Sequence, residues 1–125
     1  MKRKFYTLDV FTDTPLEGNP LAVVMECEGL SEQRMQAIAR EFAVSETVFV
    51  LEPHDPVNTA RLRIFTPSRE LPFAGHPTIG AAVLIAQLRA ADMMAREEVG
   101  LMLEEQVGVI SCTARQMRGK AAQAR

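Results

Sequence analysis

The chain has 125 residues, 47% of them hydrophobic and 24% charged, with a formal charge of −2. That describes one ordinary globular domain able to bury a real core. The acidic balance argues against a broad nucleic-acid footprint, which would be basic. Lys2, Arg3 and Lys4 are followed by an alternating stretch rather than an apolar signal core, so the expectation is a cytoplasmic chain. Cys27 and Cys112 stand alone and only two histidines, His54 and His76, are present, so no metal centre is expected and the thiols read as free and buried.

In chain order, Lys4 to Phe11 alternates with period two and reads as a strand. Thr12 to Pro20 is dense in Pro, Gly, Asn and Asp and reads as a turn. Leu21 to Met25 is a short buried strand. Ser31 has the position of a helix N-cap, with Glu32 in the first turn. Met35, Ile38, Ala39 and Phe42 follow at helical spacing, predicting an amphipathic helix over Glu32 to Phe42. Thr47 to Leu51, rich in β-branched residues, and the alternating Ala60 to Phe65 are the next strands. Arg61 and Arg63 read as a solvated strand face.

The centre of the sequence is Glu70 to Leu88. Pro77 suits a first helical turn, and Thr78 to Leu88 is apolar except for Thr78 and Gln87. An almost wholly apolar helix is a buried one. From Pro77 to Ala90 it would run roughly 20 Å, too short and too interrupted to cross a membrane. Arg89 to Glu98 either extends this helix or loops out. Gly100 to Glu104 and Val107 to Cys112 read as two closing strands around a turn near Gln106. Residues 1–114 form the expected lobe, and residues 115–125, with Arg115, Arg118, Lys120 and Arg125 among alanines and glutamines, a frayed basic tail. One buried helix among many strands predicts an α+β fold, a curved barrel-like sheet wrapped around that helix.

Two places could carry chemistry. The buried helix starts with unsatisfied N–H groups and a positive macrodipole, which suits a carboxylate or phosphate. Gly75 would let a ligand approach the backbone there, and His76 can move a proton near neutral pH. An ordinary Gly-His-Pro turn is the competing reading. Glu46, between Ser45 and Thr47 at the edge of an apolar strand, could act as a general acid or base or simply be solvated. Asn19 could hydrogen-bond a ligand or close its turn, and Thr78 could meet an anion or cap the helix. Asp9 needs a partner if buried.

Four stretches, in this order and spacing, resemble the N-terminal half of the phenazine-biosynthesis PhzF-like family. They are Asp9 to Thr12 with Gly18 to Val24, Ser45 to Val50, Arg63 to Pro67, and Glu70 to Ala82. The resemblance runs from about Phe5 to Leu88. It implies a lobe like those of diaminopimelate epimerase and cofactor-independent isomerase chemistry, with no metal, on a small carboxylate substrate held in a cleft between two lobes. It implies Glu46 as the acid/base on carbon and Gly75 and His76 as the substrate-facing mouth. The expected site then has Glu46 and His76 as catalytic residues and Asn19, Gly75, Pro77 and Thr78 as substrate-binding residues. Related epimerases use paired cysteines, but neither Cys27 nor Cys112 falls in a matching motif. Family chains are about twice this length, so the second lobe is expected to come from elsewhere: a longer protein, a second-lobe chain, or a homodimer. The alternative is a truncated or degenerate lobe that binds a carboxylate or a partner chain without catalysis.

Overall fold

The computed structural model describes residues 4–10, 19–116 and 122–124. The elements run β1 (Phe5–Val10), β2 (Asn19–Val24), α1 (Glu32–Phe42), β3 (Glu46–Leu51), β4 (Ala60–Phe65), β5 (Glu70–Leu71), α2 (Gly75–Arg96), β6 (Val99–Glu105), β7 (Gly108–Gln116) and β8 (Ala122–Ala124). They form one sheet in the order β1-β2-β3-β4-β6-β7-β8, with β5 paired to β4 outside that path. Its two parallel pairs are β2 with β3 and β4 with β6. Each needs a crossover connection, and the two helices supply them: α1 between β2 and β3, α2 between β4 and β6.

The helices cover opposite faces because strand residues alternate. Leu21, Val23, Val48, Val50, Leu62, Ile64, Leu101 and Leu103 point to one face and pack with Ala81, Ala82 and Ile85 of α2. Val24, Phe49, Leu51 and Phe65 point to the other and pack with Met35 and Ala39 of α1. Each Leu, Ile or Val so buried contributes about 1.5–3 kcal/mol. Strands β1 and β8, at the two ends of the sheet order, both contact α2, so the sheet curls around it. The small side chains of Ala81 and Ala82, both 0% exposed, allow that close wrapping. This is the expected mixed fold of a sheet curved over one buried helix.

Helix α1 begins as its sequence predicts: Ser31 is the N-cap, and its Oγ accepts from the N–H of Arg34 at 3.2 Å. It ends on Ala43 in the left-handed region, φ 54°. Helix α2 departs from expectation in two ways. It starts at Gly75, ahead of Pro77, and continues to Arg96 with a break at Ala90, where φ is −147° and ψ 39°. It is also not buried all round: Gln87, Leu88 and Arg89 are exposed.

Other expectations are corrected. Residues 115–125 are not simply a frayed tail, since β7 runs on to Gln116 and Ala122–Ala124 pair with Ala114–Gln116 as β8. Asn19 and Pro20 open β2 instead of closing a turn; positions 11–18 of that segment lie outside the described residues, as does the side chain of Asp9. Arg63 is not a solvated cation. Its Nε donates to Glu70 Oε2 at 2.8 Å, its Nη2 reaches Glu70 Oε1 at 2.5 Å and Glu32 Oε1 at 2.7 Å, and its guanidinium lies 5.6 Å from the Phe65 ring centre. Both cysteines are buried thiols outside any disulfide among the described residues. No helix among the described residues is long and apolar enough to cross a membrane.

Candidate active site at the start of helix α2

The alternation that buries Val48 and Val50 against α2 puts Glu46, on the same face of β3, toward the helix as well. Glu46 is the first residue of β3, so it reaches the end of the sheet where α2 begins. There its Oε1 lies 2.5 Å from His76 Nε2. Both side chains are mostly enclosed, at 15% exposure for Glu46 and 24% for His76. A carboxyl group touching an imidazole is a pair between which a proton can pass.

Gly75, the first residue of α2, is exposed, and a Cβ added there would meet nothing within 4 Å. The approach to the helix start is open on its side. The rest of the first turn is already committed. Pro77 is buried and has no N–H. The Thr78 N–H donates to the carbonyl of Ala74 at 3.2 Å. Neither Pro77 nor Thr78 thus has a backbone N–H to offer an anion at this helix start. Thr78 is 2% exposed, and its Oγ1 lies 2.8 Å from the Ala74 carbonyl oxygen and 2.8 Å from Glu105 Oε2. Pro77 and Thr78 thus shape the turn from within.

Asn19 is at the same end of the sheet. Leu21 is in register with Glu46 across parallel β2 and β3, and Asn19 precedes it by one strand repeat. So Glu46, His76 and Gly75 are brought together, Asn19 starts its strand nearby, and Pro77 and Thr78 lie behind the helix mouth.

Glu105 belongs to this neighbourhood and was not among the sequence candidates. It is a buried carboxyl group at the last residue of β6, reaching α2 at Thr78. Burial pushes its pKa up, and burial likewise pushes up the thiol of Cys112. A signal for it was present. Alternation through Leu101, Leu103 and Glu105 puts a carboxyl group on the apolar face of its strand. Glu104 points the other way and accepts from the N–H groups of His54 and Asp55 and from Asn58 Nδ2, at 2.8, 3.0 and 2.7 Å. These bonds hold its pKa down at about 2. Among the described residues no group of three or more His, Cys, Asp or Glu could hold a metal ion.

The chain has known relatives in sequence and in fold. Residues 8–124 match the model of the family described as phenazine biosynthesis-like protein, PhzC-PhzF. An uncharacterized isomerase of Mesorhizobium japonicum is 49% identical over 120 residues, covering 95% of this chain and 38% of that protein. The trans-2,3-dihydro-3-hydroxyanthranilate isomerase of Pseudomonas aeruginosa is 43% identical over 118 residues, covering 90% of this chain and 42% of the relative. A solved structure described as a predicted epimerase from Pseudomonas aeruginosa superposes with a TM-score of 0.86 at 38% identity, covering 98% of this chain and 42% of that one. A hydroxyproline epimerase from Agrobacterium vitis, at 15% identity and TM-score 0.70, shares the fold. The chain thus spans about 40% of the length of the relatives it matches. With these motifs, this sheet-wrapped helix and this match over most of its length, the chain belongs to the phenazine biosynthesis-like PhzC-PhzF family.

Proposed function

We propose that this chain is the N-terminal lobe of a cofactor-independent isomerase that moves a proton between carbons of a small carboxylate substrate. The observation that carries the reading is the contact between Glu46 and His76 at the start of α2. In this reading the Glu46 carboxylate takes a proton from a carbon of the substrate. The C–H electron pair delocalises toward the adjoining unsaturated or carboxylate group, and the proton returns at another carbon. No electron is gained or lost overall, so the step needs no oxidant or reductant. The start of α2, at Gly75 and His76, holds the substrate carboxylate and stabilises the developing charge. His76 orients Glu46 and passes its proton, while Pro77 and Thr78 hold the turn in shape. Asn19 stands at the rim of the same end of the sheet.

Activity in this reading requires a second lobe, supplied by further chain, by a partner chain or by a second copy. The relatives are more than twice as long as the matched region, which supports that requirement. The same observation favours one other reading, a lobe that binds carboxylates or a partner without turnover. Solvent-deuterium incorporation into small unsaturated carboxylates, measured on the completed assembly, separates the two. Incorporation that disappears in Glu46→Gln supports the isomerase. Carboxylate binding at Gly75 without incorporation in any assembly supports the binding lobe. Incorporation unchanged by Glu46→Gln removes Glu46 from the chemistry.

A further inference from the structure

The start of α2 lies between two carboxyl groups. Glu46 meets His76, and Glu105 meets Thr78. The hydroxyl of Thr78 has one proton but two oxygen neighbours at 2.8 Å, the Ala74 carbonyl and Glu105 Oε2. A carbonyl oxygen can only accept. If Glu105 were a carboxylate it could only accept as well, and one of the two contacts would lack a proton. Its second oxygen, Oε1, is buried with no hydrogen-bond partner among the described residues. A buried carboxylate oxygen left so costs more than the carbonyl oxygen of a neutral acid.

Proton count and burial thus agree. We propose that Glu105 is a positioning residue carried as a neutral carboxylic acid, its O–H donating to Thr78 Oγ1 while the Thr78 hydroxyl donates to the Ala74 carbonyl. The chain of two bonds ties the end of β6 to the residue that precedes α2, and so fixes the turn that presents Gly75 and His76. It also withholds a second negative charge from the end of α2 that faces the substrate. That last consequence rests on the proposed isomerase reading; the hydrogen-bond chain does not.

The groups facing Glu105 are consistent with this state. On β7, the inner face carries Ile110, Cys112 and Ala114, and the buried Cys112 thiol is neutral. On β4 it carries Ala60, Leu62 and Ile64. On β6 itself it carries Leu101 and Leu103. On α2, Thr78 is the contact and His76 the titratable group of the same turn, paired with Glu46 of β3. Among the described residues none of these places a cation against Glu105.

The test is a pH titration of the chain by nuclear magnetic resonance, following the Glu105 side-chain carboxyl carbon, the backbone amides of Gly75 and His76, and the His76 ring. The expected result is a Glu105 midpoint above the ordinary glutamate range, with the Gly75 and His76 amides showing a step at that same midpoint. In Glu105→Gln the side-chain amide still donates to Thr78 Oγ1 but cannot ionise, so the fold is kept and that step vanishes while the His76 ring titrates as before. In Thr78→Val the Glu105 titration persists and the amides cease to follow it. A Glu105 that is ionised across neutral pH overturns the proposal. So does a high midpoint that the amides ignore, or an amide step that survives Glu105→Gln. None of these outcomes reads Glu46, so a failure here leaves the deuterium-exchange test of the isomerase reading standing, and the reverse holds.

Discussion

Glu46 Oε1 stands 2.5 Å from His76 Nε2, joining the first residue of β3 to the second residue of α2 at one end of the sheet. If this pair moves the proton, Glu46→Gln in the completed assembly lowers solvent-deuterium incorporation by about 10²–10⁴-fold, the usual contribution of a positioned acid/base. His76→Asn lowers it as well while leaving carboxylate binding measurable. Isotope incorporation read by mass spectrometry checks both.

Gly75 has no positive φ to require a glycine, and a Cβ there meets open space. Gly75→Ala should therefore fold normally, with a stability change of about 0.5 kcal/mol or less, because the position is at the helix terminus and not in its interior. The methyl group would nonetheless stand where a ligand must approach the backbone. Carboxylate binding by the assembly should fall at least tenfold, a loss measurable by calorimetry alongside an unchanged denaturation midpoint.

Glu104 ties the 54–58 loop to β6 through its three accepted hydrogen bonds. Its pKa falls from 4.5 to about 2 on folding. The folded state then binds fewer protons than the unfolded state between those values, so this contribution is full above the unfolded pKa and is lost as pH falls toward about 2. Urea unfolding across that range should show declining stability in the wild type and a flatter profile in Glu104→Gln.

Glu70 pairs with Arg63 through two oxygens, in a site where both are mostly covered. Glu70→Ala leaves a half-buried guanidinium with, among the described residues, the exposed Glu32 as its acid partner. Denaturant melts should show a loss of about 1–3 kcal/mol, the cost of orphaning a buried charged donor. Glu32→Ala should cost less than about 1 kcal/mol, as exposed pairs do.

Ala43 ends α1 with φ 54°. An L-residue with a Cβ is disfavoured there by roughly 1–2 kcal/mol, and glycine is not. After the added flexibility of glycine in the unfolded chain is subtracted, Ala43→Gly should stabilise by about 0.5–1 kcal/mol. Thermal unfolding checks the sign.

Much of this protein was determined by the sequence alone. Period-two alternation located β1 and β4, short apolar or β-branched runs located β2 and β3, and Ser31 with helical spacing located α1 to the residue. The apolar run after Pro77 identified the helix the sheet must wrap. Glu46 and His76 were candidates before their contact was known. Each of these signals is local, carried by neighbours along the chain.

What only the tertiary structure decided depends on pairing between distant segments. The short strand β5 exists because Leu71 finds Ile64, and β8 because Ala124 finds Ala114; neither has enough residues to declare itself. Arg63 is a paired cation because β4 runs between α1 and β5, which an alternating sequence cannot tell from a solvated face. Glu105 meets Thr78 because β6 lies parallel to β4 beneath the start of α2. Local patterns assign a residue its element and its face; which carboxyl group faces which hydroxyl is set by the order of strands in the sheet, and that order is a property of the whole chain.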